Sequence, residues 1–304
     1  MRVAALDLGA NTLRLLVAEV EGSRWRAVAR GLATPRLGRG VDRSGRLDPQ
    51  AKQQARETAR RYVDTARAHG ARRIGLAATS ACRRAADGAQ FVAGLGGELG
   101  LSWARVLSGE EEARLSRLGV LSRLEGEAAG AWLADVGGGS TELIPLEGED
   151  AAGLSLELGA VRLGEAHLHH DPPTASELAA LEGAVSRALQ PVQRLPVRRL
   201  VATAGTAATL AALRLGLREY RPEEMNNLPV SRRELEDEYR RLAALPLSRR
   251  RELLALEPQR ADIIVAGLAI LRGLADLWGL DRLVTMDAGL LEGIALAVAG
   301  GERG

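Results

Sequence analysis

Two short stretches limit what this chain can fold into more than anything else in it. Asp7-Leu8-Gly9 and Asp135-Val136-Gly137 each follow an apolar run, residues 4–6 and 131–134. Each then precedes a small polar turn and a second apolar run, led by Leu13, Leu15 and Leu16 in one case and by Leu143 and Ile144 in the other. Both read as strand, tight turn, strand. Internal similarity of this kind predicts two related halves, each opening with a hairpin. In the second copy Gly137, Gly138 and Gly139 let the backbone turn sharply and bring bare N–H groups close to a ligand. Successive N–H groups in such a turn form an anion-binding concavity. Ser140 and Thr141 add hydroxyl donors, and Asp135 and Glu142 bracket the turn. Carboxylates beside a phosphate cradle make sense if a hard cation sits between them. A glycine hairpin with solvated ends would be spelled the same way, so one copy decides nothing. The second copy favours the ligand. A third Asp-x-Gly stands at Asp287-Ala288-Gly289, and a further glycine turn, Ala204-Gly205-Thr206, follows Leu200-Val201-Ala202.

The 304 residues suffice for two domains, and with 46% hydrophobic residues a large core is available. Aromatics are 3%, so Leu, Ala and Val must fill that core. The same scarcity argues against nucleic-acid partners, because single-strand binding needs stacking platforms. The formal charge is +2 and Lys52 is the only lysine, which excludes a Gly-x-x-x-x-Gly-Lys phosphate loop. Cys82, the single cysteine, excludes an internal disulfide and points to a reducing, cytoplasmic setting. Asp7 and Arg14 interrupt the first apolar run, so no signal peptide is visible. The apolar stretch 263–280 contains Arg272 and Asp276 and reads as a buried helix, which argues against a membrane partner.

Taken in order, residues 3–8, 13–20 and 25–31 read as strands. The basic, glycine-rich segment 36–46 could contact an anion or serve as a flexible connector, and the connector is the simpler reading. Asp48 with Pro49 starts a helix that Gly70 ends. A strand at 73–79 runs into a turn carrying Arg83 and Arg84. A helix near 86–99 and a strand at 103–107 follow. Ser108 with Glu111 makes a capping box for the next helix. That use occupies Glu111 alone and leaves Glu110 and Glu112, one of which could face a cleft. The polar, small residues 125–130 mark the domain junction. Beyond the Asp135 hairpin we expect a strand over 154–163, a helix capped by Thr174 and Glu177, and a strand at 199–204. Helices then follow at 206–215, 234–245, 249–256 and 258–280, a strand at 282–286 and a last helix at 289–299. Alternating strands and helices with hairpins predict an α/β fold with mixed sheets. His167, His169 and His170 cluster before Asp171-Pro172, but zinc sites need fuller ligand sets, and a solvated loop is the simpler reading.

Six ordered motifs carry a resemblance: residues 7–14, 78–83, 108–114, 135–142, 204–206 and 287–292. Together they resemble the exopolyphosphatase/guanosine-pentaphosphate phosphatase family, within the superfamily of actin, sugar kinases and the heat-shock ATPase. The resemblance implies two ribonuclease-H-like domains around an interdomain cleft, here 1–126 and 127–304, with the last helix able to pack back on the first domain. It implies a short form without the additional helical domain of longer relatives. By position it implies that Glu112 is the general base for water, with Glu142 also catalytic. Asp7, Asp135 and Glu142 would surround Mg²⁺ (or Mn²⁺). Asn11, Thr12, Arg14, Arg83, Gly137, Gly138, Gly139, Ser140, Thr141, Gly205 and Thr206 would bind phosphate. Ala10 stands where the family usually has Ser, Cys82 where an apolar residue is usual, and Leu291 where Arg is usual.

The implied activity is hydrolysis of terminal phosphate from inorganic polyphosphate, in short chains. The alternative is the 5′ phosphate of guanosine pentaphosphate, and a second alternative is a non-enzymatic polyphosphate- or nucleotide-binding regulator. A small-molecule kinase of the same superfamily is disfavoured by the Glu110-Glu111-Glu112-Ala113-Arg114 motif. Hydrolysis of a phosphoanhydride needs charge neutralisation and a positioned water, with little covalent help. A homodimer is a further expectation.

Overall fold

A computed structural model describes residues 1–22, 24–148 and 153–301 of the chain. It divides into two units, Met1–Ser122 with Gly289–Gly304, and Arg123–Ala288. The chain therefore crosses between the units twice.

Unit 1 begins with strands β1 (Arg2–Leu8), β2 (Leu13–Glu21) and β3 (Arg24–Ala33). Helices α1 (Val41–Ser44) and α2 (Pro49–Ala68), strand β4 (Arg73–Ala78) and helices α3 (Ser80–Arg84) and α4 (Gly88–Leu99) follow. Strand β5 (Trp103–Val106) and helix α5 (Gly109–Leu121) complete its first stretch. Unit 2 contains β6 (Ala131–Val136), β7 (Thr141–Pro145), β8 (Leu154–Leu156), α6 (Ala160–His167), α7 (Ala175–Leu189), β9 (Arg199–Thr203) and α8 (Ala204–Leu215). It continues through α9 (Pro222–Met225), β10 (Leu228–Ser231), α10 (Arg232–Ala243), α11 (Leu247–Leu253), α12 (Ile264–Leu277) and β11 (Arg282–Thr285). The chain then returns to unit 1 as α13 (Leu290–Gly300).

The two sheets are built on one plan. Their orders are β3-β2-β1-β4-β5 and β8-β7-β6-β9-β11, with β10 added beyond β11. In both, the opening hairpin is antiparallel and the strands after it are parallel. The hairpins agree in register as well. Asp7 pairs with Arg14 and Leu8 with Leu13, while Asp135 pairs with Glu142 and Val136 with Thr141. Each turn is closed by the same bond, from the Gly9 amide to the Thr12 carbonyl and from the Gly137 amide to the Ser140 carbonyl, both 2.9 Å. Repetition in sequence is thus repetition in backbone geometry.

Strand β1 shows why unit 1 needs helices on both faces of its sheet. Ala4, Leu6 and Leu8 join one core with residues of α2 and α4. Val3 and Ala5, of opposite parity, join another with Leu115 of α5 and Leu291, Ile294 and Val298 of α13. Helices α5 and α13 meet through glycines. A Cβ on Gly119 would lie 1.8 Å from the Gly289 carbonyl oxygen, and one on Gly293 would lie 1.8 Å from that of Leu115. In unit 2 one core gathers residues of β6, β7, β9, α7, α10 and α12.

Several local expectations are corrected. The strand expected over 154–163 stops at Leu156, and α6 begins at Ala160. The cause is the glycine turn itself. The Gly137 carbonyl accepts from the Ala160 amide (2.9 Å), and the Gly138 carbonyl accepts from Val161 and Arg162 (2.9 and 3.1 Å). Gly159 is pressed so close that a Cβ would fall 2.3 Å from the Gly138 oxygen. The helix expected over 258–280 is a 3₁₀ turn at Pro258–Arg260 followed by α12. Strand β10 lies in what reads as a Pro- and Asn-rich loop; it is an edge strand, where Pro229 is tolerated.

Candidate active site

Asp7 sits near the end of β1, 9% exposed, across the ladder from Arg14. Burial pushes its carboxyl up to about 6; the Arg14 charge pulls the other way, and the Glu292 carboxylate adds to the rise. Glu292 comes from α13 and is fully buried. It accepts from the Gly289 amide at 2.9 Å, capping its own helix, and from Arg30 Nη1 at 2.9 Å. Sequence reading gave Glu292 no role. Its signal was an acid three residues after a helix-starting glycine, in an otherwise apolar segment.

At the head of α5 the three acids separate by function. Glu111 closes the capping box with Ser108, accepting from the Ser108 amide at 2.9 Å while its own amide donates to Ser108 Oγ at 3.1 Å. That bonding, with Arg105 nearby, holds its carboxyl below the usual range. Glu110 is exposed. Glu112 takes a salt bridge from Arg83 Nη1 at 2.9 Å, and the same nitrogen donates to the Leu107 carbonyl at 2.8 Å. The expected base and the expected phosphate-holding arginine are therefore already in contact. Both remain partly open, with side-chain exposures of 19% and 35%.

In unit 2, Asp135 and Glu142 are directly opposite on the β6–β7 ladder, which places their side chains on one face. Glu142 Oε1 accepts from Ser140 Oγ at 2.6 Å and from Ser155 Oγ at 3.1 Å. The amides of Gly138, Gly139 and Ser140 donate to nothing among the described residues. The same is true of Ala10, Asn11 and Thr12 in the first hairpin. Each turn thus presents three consecutive open donors, the pattern that binds an anion. Thr141 departs from the role expected of it: it is fully buried, and its hydroxyl donates to the Leu158 carbonyl at 2.5 Å. Gly205 is covered by a guanidinium. A Cβ there would lie 1.8 Å from Arg260 Cζ, and Arg260 is ion-paired to Glu257. Thr206 is 3% exposed and packs on Gly267.

Among the described residues no group of three or more His, Cys, Asp or Glu side chains is assembled for a metal ion. The donors that do stand together, Asp135 and Glu142 beside Ser140, are hard oxygen groups. They suit a magnesium ion that keeps its waters and takes further oxygens from phosphate. His170 instead bonds Glu177, Nδ1 to Oε1 at 2.9 Å. No helix of the described residues is long and apolar enough to cross a membrane.

The model of the Ppx/GppA phosphatase family matches residues 16–300. Among curated proteins, Exopolyphosphatase 2 of Mycobacterium tuberculosis is 36% identical, over 98% of this chain and 99% of its own. A guanosine-5′-triphosphate,3′-diphosphate pyrophosphatase of Photobacterium profundum is 29% identical, over 96% of this chain and 58% of its own. Among solved structures, the Ppx/GppA family member of Aquifex aeolicus superposes with a TM-score of 0.86 at 27% identity, covering 100% and 99% of the two chains.

Proposed function

This chain belongs to the Ppx/GppA phosphatase family, and on that premise we propose that it hydrolyses the terminal phosphoanhydride bond of inorganic polyphosphate. The observation that carries the proposal is the Arg83–Glu112 pair. Glu112 is the acid left over at the head of α5 once Glu111 is used as a cap, and it is held by a cation that a phosphate can claim. In this reading the anionic substrate draws the Arg83 guanidinium to itself and frees the carboxylate. Glu112 then accepts a proton from water as the water oxygen attacks the terminal phosphorus. The anhydride oxygen leaves on the shortened chain, which departs as an anion, and orthophosphate is released. Each row of open amides, 10–12 in unit 1 and 138–140 in unit 2, offers fixed donors of the kind that stabilise charge on phosphoryl oxygens. Asp135 and Glu142 would hold a divalent cation, which when bound would neutralise phosphate charge. Ser140 and Ser155 fix the orientation of Glu142 for that task.

Guanosine pentaphosphate is the second reading, favoured by the pyrophosphatase relative. It presents the same terminal group, so the residues above serve either substrate. The test is phosphate release from polyphosphates of several lengths, guanosine pentaphosphate and ATP, by wild type and by Glu112→Gln. We expect turnover in the variant to fall by about 10²–10⁴-fold with substrate binding retained, the usual contribution of a positioned base. A near-wild-type rate would place the base elsewhere.

A further inference from the structure

The basic segment 36–46 is not a loose connector. Leu37, Val41 and Leu47 are 0%, 2% and 3% exposed and belong to the core shared with α2 and α4. Between these anchors Arg36, Arg39, Arg43 and Arg46 all stand exposed. Backbone bonds tie the segment to two elements of the candidate site in unit 1. On the Asp7 hairpin, the Arg36 amide donates to the Asn11 carbonyl (3.0 Å) and the Gly38 amide to that of Ala10 (2.7 Å). Just beyond α3, the Ala86 amide donates to the Gly45 carbonyl at 2.9 Å.

Internal bonds stiffen the segment further. Ser44 Oγ donates to the Gly40 and Arg46 carbonyls at 2.9 and 2.8 Å. The Leu47 amide donates to Asp87, whose other oxygen takes the Lys52 ammonium at 2.8 Å. Gly38 approaches so closely that a Cβ would lie 2.8 Å from that of Ala10. Arg36 holds φ 54°, a left-handed conformation that a non-glycine residue keeps only where its surroundings impose it.

Charge is the decisive feature. Segment 36–46 carries four arginines against a single acid, Asp42, whereas Arg56 and Arg60 on α2 share Glu98. Like charges held in excess on a braced scaffold repel one another, and a polyanion relieves that repulsion. We propose that segment 36–46 is a polyanion-binding ridge that holds the phosphate units of the substrate beyond the one being cleaved. The proposal rests on the phosphatase reading above and adds a subsite to it. Affinity then rises with each added unit over the reach of the ridge and levels off beyond it.

The test is a triple variant, Arg39→Ser with Arg43→Ser and Arg46→Ser, leaving Arg36 in place because of its conformation. Thermal melts check the fold, and a double variant of exposed arginines elsewhere, Arg194→Glu with Arg251→Glu, is the control. Steady-state kinetics on tripolyphosphate and on a polyphosphate of tens of units are followed against salt. We expect KM for the long chain to rise at least about tenfold. The slope of log KM against log salt should fall by about two, the value for three lost phosphate contacts. The value of kcat should be unchanged, and the control should match wild type. An unchanged long-chain KM and salt slope in the triple variant would overturn the ridge. If wild type releases phosphate from neither substrate, the phosphatase reading fails by itself. The ridge is then judged by fluorescence anisotropy of end-labelled long polyphosphate. Equal binding by wild type and triple variant refutes it, and loss of binding in the variant upholds it.

Discussion

Replacing Gly119 by Ala makes the packing of α5 against α13 measurable. In a solvent-facing helical position this change stabilises, by roughly 0.5–1 kcal/mol, because glycine loses more backbone freedom on folding. At Gly119 the new methyl would stand 1.8 Å from the Gly289 carbonyl oxygen and 2.8 Å from the Gly293 amide nitrogen. Close carbon–oxygen contacts lie at about 3.3–3.6 Å, so the helices must separate by roughly 1.5 Å. Both obstacles are backbone, and no side chain can swing aside. Separation loosens Leu291, Ile294 and Val298, which are 2%, 0% and 1% exposed. Overpacking of this kind costs about 1–3 kcal/mol, and partial loss of buried apolar contact adds to it. We expect a net loss of about 2–4 kcal/mol for unit 1.

Urea unfolding followed by tryptophan fluorescence is the assay. Trp25 and Trp103 report unit 1, and Trp132 and Trp278 report unit 2. Gly94→Ala on α4 is the internal control, since nothing lies within 4 Å of its added carbon and it faces solvent. That variant should gain about 0.5–1 kcal/mol. The same substitution in two helices of one unit is thus expected to have opposite signs. If Gly119→Ala matches wild type in stability, or if Gly94→Ala is as damaging, the close approach of the two helices is not what limits this position.

Further outcomes follow from the site. Thr141→Val should lose about 1–2 kcal/mol of stability, because the Leu158 carbonyl loses its buried donor, with KM unchanged; a raised KM at wild-type stability would return Thr141 to phosphate binding. Asp7 titrates near 6 in the folded protein and near 3.8 when unfolded, so its contribution to stability is full below about pH 4 and is lost as pH rises through about 6. Asp7→Asn in chelator should flatten the stability profile in that window, and an unaltered slope there would contradict the burial argument. Excess chelator should abolish phosphate release and added Mg²⁺ restore it, given the paired oxygens of Asp135 and Glu142; full activity in chelator would exclude the proposed role for them.

What the sequence made legible was repetition. Asp-x-Gly at matching offsets marks both hairpins, and the apolar runs around it mark the strands, because turn chemistry and alternation are local properties. Capping boxes at Ser108 and Thr174 were legible for the same reason. What stayed hidden depends on contacts between distant residues. The strand gives way to a helix after Gly159 because the Gly137 and Gly138 carbonyls, some twenty residues earlier, accept from the amides of Ala160, Val161 and Arg162. The segment 36–46 looks like a connector in composition, and its three buried anchors are visible only against the core they enter. Glu292 is one acid among leucines in sequence, and a buried partner of Arg30 in space. The Arg83–Glu112 contact joins two separate motifs, neither of which names the other.

Helix α13 also bears on the order in which the protein can be made. Ribosomes deliver the chain from its N-terminus, and domains generally fold as they emerge. Strands β1 to β5 emerge first, yet one face of their sheet is covered by residues 290–298, which lie beyond all of unit 2. Unit 2 is contiguous, so every segment it needs is present once residue 288 has been added. The later-encoded unit can therefore be completed before the earlier one. Throughout that interval Val3, Ala5, Leu16 and Leu115 lack their native cover, and the nascent chain carries an apolar sheet face that other chains or a holdase can occupy.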